Sequence, residues 1–131
     1  MSTDVGKIIE QTLLGEALME APIAASVFDS ERRYVAVNDA FCRLTLYTRA
    51  ELTSLTAGTQ LAPDKEAREA VRIAVREHGA AGEVNLRRKD GSVVRTAYWV
   101  IETTAALMPY YLRLSWLPER MPWLIVPASS A

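Results

Sequence analysis

The sequence predicts a single α+β domain built on an antiparallel sheet, and three observations lead there. Helix-type and strand-type patterns come in runs rather than in strict alternation, which separates this chain from wound α/β folds. Across residues 34–52, YVAVNDAFCRLTLYTRAEL, an apolar strand runs straight into an Asn-Asp helix start, and the short helix ends in an aromatic turn. Further on, Arg87-Arg88-Lys89-Asp90-Gly91 is flanked on both sides by apolar β-type sequence, and Asp-Gly between such runs marks a hairpin.

A chain of 131 residues suits one hydrophobic core. Half of it is hydrophobic and 24% charged, which is ordinary for a globular domain. A net charge of −1 gives no electrostatic warrant for nucleic-acid binding. The basic cluster at Arg87, Arg88 and Lys89 reads as a solvated hairpin tip rather than a phosphate site. Cys42 is the sole cysteine, so no intramolecular disulfide can form, and a reducing compartment is expected. No apolar run approaches the ~20 residues that cross a bilayer. The N-terminus MSTDVGKIIEQ lacks a basic segment followed by an apolar one. A cytoplasmic location without membrane contact is therefore expected.

Residues 4–20 read as a helix that Ser2, Thr3 or Asp4 can cap, with Val5, Ile8, Ile9, Leu13, Ala17 and Leu18 at three- and four-residue steps. Its apolar stripe is broad. Either a partner chain buries a second surface, or the helix tucks deeply into its own domain. Pro22 breaks the pattern, so residues 1–21 form an N-terminal capping or dimerisation helix, 22–118 the main domain and 119–131 a tail. Pro118, Pro122 and Pro127 argue against a long C-terminal helix there.

Within the domain, 24–29 (AASVFD) and 33–37 (RYVAV) are two strands joined at Ser30-Glu31-Arg32. Asn38 or Asp39 caps a helix reaching about Leu46, with Phe41 and Leu44 on its inner face. Thr48 and Glu51 have capping-box spacing, and 53–62 is irregular. Pro63 suits the first turn of a helix that runs to about Glu77 and stops at Gly79. Its stripe is Ala67, Ala70, Val71, Ala74 and Val75. Strands follow at 83–88, 92–103 and 110–117.

Catalytic chemistry is sparse. There is no Gly-rich phosphate loop and no metal-ligand spacing of His, Cys and carboxylates. His78, the sole histidine, stands at a helix end, where its expected role is to favour the C-terminal dipole. The chain is not expected to be an enzyme.

The strand entering Asn38-Asp39 and the Asp90-Gly91 hairpin, in this order and spacing, resemble a PAS domain, a small sensor and interaction module, over roughly Leu18 to Pro118. The resemblance implies five antiparallel strands in order 2-1-5-4-3, helices over one face and the N-terminal helix on the other. It also implies sidedness: Val94, Thr96, Tyr98 and Val100 inward, and Val93, Arg95, Ala97, Trp99 and Ile101 outward. In the last strand we place Leu112, Leu114 and Trp116 inward, against Tyr111, Arg113, Ser115 and Leu117 outward. Candidate residues of an interior pocket are then Phe41, Leu44, Tyr47, Ala70, Ala74, Leu86, Thr96, Tyr98, Leu114 and Trp116. The Thr96 and Tyr98 hydroxyls suit a small amphipathic ligand, or else bond to backbone or buried water. The Ala67, Ala70 and Ala74 face permits either close helix–sheet contact or open volume. Val5, Ile8, Ile9, Leu13, Trp99 and Ile101 are candidates for a dimer interface, because an apolar outer face needs cover.

Subtypes can be tested by residues. The Gly-x-Asn-Cys-Arg-Phe-Leu-like segment of flavin-binding LOV domains is missing, and Cys42 lies in an earlier helix. No axial histidine stands in Asp64-Lys65-Glu66-Ala67-Arg68-Glu69, so His-ligated haem is not expected either. The cofactor stays unknown, with a non-covalent flavin or another small organic ligand open. Where the family often has Gly-Tyr, this chain has Leu46-Tyr47, so that helix end should be built differently, with Leu46 turned into the interior. Glu51 and Lys89 occupy positions that often form an ion pair in the family.

The expected function is a PAS sensory module that binds a small apolar or amphipathic ligand and signals through a homodimer, a partner protein or a downstream domain. The alternatives are a ligand-free dimerisation module and, further off, a cone-shaped isomerase-like enzyme. The latter needs an inward carboxylate base, and Glu102 is the nearest.

Overall fold

A computed structural model describes residues 13–55 and 61–120. Its elements in chain order are α1 (Leu13–Glu20), β1 (Ala24–Asp29), β2 (Tyr34–Val37), α2 (Asp39–Thr45), α3 (Arg49–Leu52), α4 (Lys65–Arg76), β3 (Gly79–Arg87), β4 (Val93–Ala105) and β5 (Met108–Trp116). The strands form one antiparallel sheet in order β2-β1-β5-β4-β3, as the resemblance implies. Of the expected N-terminal helix only the part from Leu13 lies within the described residues; Val5, Ile8 and Ile9 lie outside them, as does most of the 119–131 tail.

The β2–α2 junction is held by Asn38, buried and fully bonded. Its Oδ1 accepts from the backbone N–H of Phe41, which caps α2, and from that of Ala25 in β1, both at 2.9 Å. Its Nδ2 donates to the carbonyls of Leu18 at 2.6 Å and Ile23 at 2.9 Å, which fixes the descent from α1 into β1. Four bonds exhaust the hydrogen-bonding capacity of one carboxamide. A capping box then starts α3, with Thr48 Oγ1 accepting from Glu51 N and Glu51 Oε1 accepting from Thr48 N.

Helix α2 ends at Leu46 with φ 66°, its N–H donating to Cys42 O at 2.8 Å. The left-handed cap that glycine would make is thus made by leucine, and the side chain is 47% exposed rather than turned inward. Backbone closure of the helix outweighs the local cost of that conformation, about 1–2 kcal/mol. Asp64 caps α4 by accepting from Ala67 N at 2.8 Å, so Pro63 precedes the helix rather than standing in its first turn.

Register decides sidedness. In β4, Thr96, Tyr98 and Val100 face the helices, with Trp99 and Ile101 on the opposite side. In β5 the expectation is reversed. Tyr98 pairs with Ser115, Val100 with Arg113 and Glu102 with Tyr111, so Tyr111, Arg113 and Ser115 look inward. Leu114 and Trp116 pair with Trp99 and Ala97 and look outward, as Leu112 does opposite Ile101. The cause is a two-residue hairpin at Ala106-Leu107, closed by the pair Ala105–Met108 with φ 52° and 66° at its centre. Such a turn fixes the parity of both strands, and this one lacks the Asn-Gly signature that normally announces it.

The main core gathers Phe28, Tyr34, Phe41 and Tyr111 with Val71, Leu86, Tyr98 and the α4 alanines. Phe28 stacks on Tyr111 at 5.4 Å and Tyr34 tilts against Phe41 at 5.5 Å. A smaller apolar cluster on the outer face holds Val27, Ala36 and Tyr110.

Asn38→Ala should cost about 2–4 kcal/mol, the sum of a lost cap and of buried backbone groups left unpaired, read from the urea midpoint. Ala106→Asn with Leu107→Gly should stabilise the chain by about 1–2 kcal/mol in the same measurement, by relieving two left-handed residues.

Candidate functional site

The candidate site is the layer between the inner sheet face and α4. Ala67, Ala70 and Ala74 are all buried, so the small-residue face of α4 is used for close contact with the sheet. What remains is a cavity of about 10 Å³ open to the centre of a water molecule, lined by Leu61, Ala62, Ala67, Val71, Val84, Asn85, Leu86 and Arg113. That is close to the least volume that holds one water.

Of the expected pocket residues, Leu86 lines this cavity and most of the others pack in the core around it. Phe41, Ala70, Ala74, Leu86 and Tyr98 belong to the main core, with Leu44 and Tyr47 packed against its edge. Thr96 is buried, and its hydroxyl donates to Val84 O at 3.2 Å, so the backbone satisfies it. Leu114 and Trp116 are not in the chamber: the hairpin parity places them on the outer face.

Sequence reasoning missed the polar groups buried on the inner side of the sheet, of which Arg113 lines the cavity. Arg113 is 5% exposed, its guanidinium carbon lies 5.1 Å from the centre of the Tyr98 ring, and its Nε has no hydrogen-bond partner. Ser26 stands beside it, since Ser26 and Arg113 are paired across β1 and β5, and its hydroxyl is buried and unpartnered. The Tyr34 hydroxyl is likewise buried, with the Arg113 guanidinium as a neighbour that can donate to it. Burial pushes the Tyr34 phenol up to about 12, and the nearby Arg113 charge works in the opposite direction. Burial also raises Tyr98, again against Arg113. The signal for Arg113 was present in the Tyr-Arg-Ser alternation of the last strand, but only the hairpin register assigns that alternation to the inside.

At one end of the layer, Glu102 Oε1 accepts from His78 Nδ1 at 2.8 Å and from the Tyr111 hydroxyl at 3.2 Å. The His78 hydrogen bond, then that from Tyr111, holds the Glu102 carboxyl below its usual range. His78 therefore ties α4 to β4 through a carboxylate rather than through the helix carbonyls. The basic cluster is also more than a solvated tip. Arg88 Nε donates to Leu44 O at 3.0 Å, Lys89 N to Thr45 O at 2.9 Å and Arg87 to Pro63 O at 3.3 Å. Lys89 Nζ reaches Glu51 at 2.5 Å, the expected pair, and both partners are part-exposed. The hairpin tip is clamped to α2 and α3. Gly91, at φ 89°, closes the turn by donating to Arg88 O, and Asp90 receives the Ser92 N–H and hydroxyl.

On the outer face Trp99 is 42% and Ile101 44% exposed, beside exposed Val93. The end of α1 reaches the β1–β2 side of this face, where Leu18 and Met19 border a recess with Ala25, Val27, Ala36 and Leu112. Leu13 lies in α1. Among the described residues no group of His, Cys, Asp and Glu could hold a metal, and no helix is long and apolar enough to cross a membrane.

No protein-family model and no curated protein matches the chain. Solved structures do. The PAS domain of a two-component sensor histidine kinase superposes at TM-score 0.68 with 17% identity, over 77% of this chain and 89% of that one. The PAS domain of an HTR-like protein from Haloarcula marismortui gives 0.66 and 16%, over 84% and 88%. The LOV protein of Rhodobacter sphaeroides gives 0.68 and 15%, over 88% and 68%. The chain has the PAS α+β fold. LOV structures stand among its neighbours, so the fold does not separate it from flavin-binding light sensors. That distinction rests on the missing cysteine segment alone.

A carboxyl held low stabilises the fold while ionised, fully so above its unfolded value, and the gain is lost as pH falls through the lower folded value. Glu102→Gln should therefore flatten the loss of stability as pH falls through and below the usual carboxylate range, as followed by urea unfolding at stepped pH.

Proposed function

We propose that this chain is a PAS sensory module that holds a small ligand between α4 and the inner sheet face and signals through contacts on the outer face. One observation carries the ligand: Ser26 Oγ, Tyr34 Oη and Arg113 Nε are all buried on the inner side of the sheet, and apart from the approach of the Arg113 guanidinium to the Tyr34 phenol no described group satisfies them. Each such group costs desolvation free energy of ~1–3 kcal/mol, more for a charged one, unless something bonds to it. A fold serving stability alone would replace them with aliphatics. The charge narrows the expected ligand from apolar or amphipathic to amphipathic with a polar end.

The output follows from the strands themselves. Inward Tyr98 and outward Trp99 are neighbours in β4, and inward Arg113 and outward Leu114 are neighbours in β5. A ligand that prefers one placement of Arg113 shifts the population of outer-face arrangements by its differential affinity. Trp99 and Ile101 form an exposed apolar pair suited to a second copy of the chain or to a partner protein. In this reading the protein works in the cytoplasm by binding rather than catalysis. Glu102, the inward carboxylate nearest the chamber, is already engaged by His78 and Tyr111. The tight cavity favours a second reading, a ligand-free dimerisation module.

Native mass spectrometry of gently purified protein separates the two. A stoichiometric small molecule released on denaturation supports the sensor; bare protein mass in every preparation supports the structural module. For the outer face, Trp99→Glu with Ile101→Glu should turn a dimer into a monomer in sedimentation velocity while the circular dichroism spectrum stays unchanged. Persistence of the dimer would remove this face as the interface.

A further inference from the structure

The inner wall of β5 carries a permanent charge that nothing in the fold neutralises. Arg113 is 5% exposed, and no described carboxylate pairs with it. The acids on surrounding elements are engaged elsewhere: Glu66 and Glu83 face Arg95, Asp64 holds Asn85 and the first turn of α4, and Glu102 holds His78 and Tyr111. Among the described residues the guanidinium meets the Tyr98 ring face and the Tyr34 phenol, neither of which carries a compensating charge. A guanidinium cannot escape burial by losing a proton, and an unpaired buried charge is strongly unfavourable. The groups converging on it are donors. Ser26 stands beside it on β1, its hydroxyl buried and unpartnered, and the buried Tyr34 phenol oxygen can accept from the guanidinium while its O–H stays free to donate. A planar fork of N–H groups with two O–H groups beside it is the donor set a carboxylate needs. The rest of the cavity is apolar in the main, with Leu61, Val71, Val84 and Leu86.

We propose that the chamber is a receptor for a small monocarboxylate: Arg113, which lines it, grips the carboxylate, the neighbouring Tyr34 phenol orients the guanidinium, and a short carbon chain lies against Val71 and Leu86. This rests on the reading of the chamber as a ligand site and names the class of its ligand. Room for about one water sets the scale, so formate and acetate enter with the least displacement of α4, and each added methylene must push α4 outward.

The test uses the full chain in chloride-free buffer at fixed ionic strength, titrated with sodium formate, acetate, butyrate or octanoate, with sodium chloride as reference. Thermal unfolding and calorimetry are the readouts. Formate or acetate should raise the melting temperature, chloride should not, and octanoate should bind more weakly than acetate. Arg113→Met should abolish the shift and, without ligand, melt no lower than the unsubstituted chain, because an apolar side chain of similar reach replaces an unpaired charge. Arg113→Lys should bind about 10-fold more weakly, since it keeps the charge and loses the fork. Tyr34→Phe should weaken binding about 3- to 10-fold. The proposal is overturned if no acid shifts the melt, if chloride matches acetate, if octanoate binds tightest, or if Arg113→Met still responds. It is overturned too if Arg113→Met melts well below the unsubstituted chain, the mark of a purely structural arginine. A neutral molecule in the native mass spectrum, with no response to acids, sinks the carboxylate and keeps the ligand site. An empty chamber with no response sinks both.

Discussion

Asn38 joins three segments, α1, β1 and α2, that must meet for this sheet to form. Its carboxamide bonds to the end of α1, to the residue leading into β1, to the start of β1 and to the first turn of α2. Without it, the backbone of Leu18, Ile23 and Ala25 would carry buried polar groups with no partner, and α2 would lose its cap. Everything on the inner face is positioned from this point. β1 supplies Ser26 and Phe28, α2 supplies Phe41, and the Phe28, Tyr34, Tyr111 and Phe41 rings close round them. Aliphatic packing alone is non-directional and tolerates slippage; a fully bonded amide does not.

Much of this was legible in the sequence because it is written in short-range chemistry. The Asn38 cap, the Thr48–Glu51 box, the Asp90-Gly91 turn and the first strand all follow from residue types a few positions apart. The sidedness of β4 was legible through the hairpin before it. That of β5 was not. The rule that apolar residues face inward assigned Leu112, Leu114 and Trp116 to the core, and it failed because this sheet is apolar on both faces. The hairpin parity would have corrected it, but Ala106-Leu107 carries no turn chemistry, and its strained backbone is held by the long ladder on either side. Leu46 is the same lesson at a helix end: a non-glycine residue takes a left-handed cap because the surrounding structure dictates it. Sequence patterns report local preference, and both misreadings fall where tertiary pairing overrides it.

The reversal in β5 also changes what kind of interior this is. With Leu114 and Trp116 inside, the chamber would be apolar, and its hydroxyls could be satisfied locally, as Thr96 is by Val84. With Arg113 and Ser115 inside, the sheet contributes a cation at its centre, on the strand between β1 and β4. Arg113 lies over the Tyr98 ring in β4, and its β1 neighbour is Ser26, so a change at its head group acts on both flanking strands at once. Through the alternation of side chains the same backbone carries Trp99 and Leu114 on the outer face. A central strand is the stiffest place in a sheet from which to report to the opposite surface. In the proposed sensor, Arg113 is placed where neutralising one charge inside would act on an apolar contact surface outside without any hinge or lid.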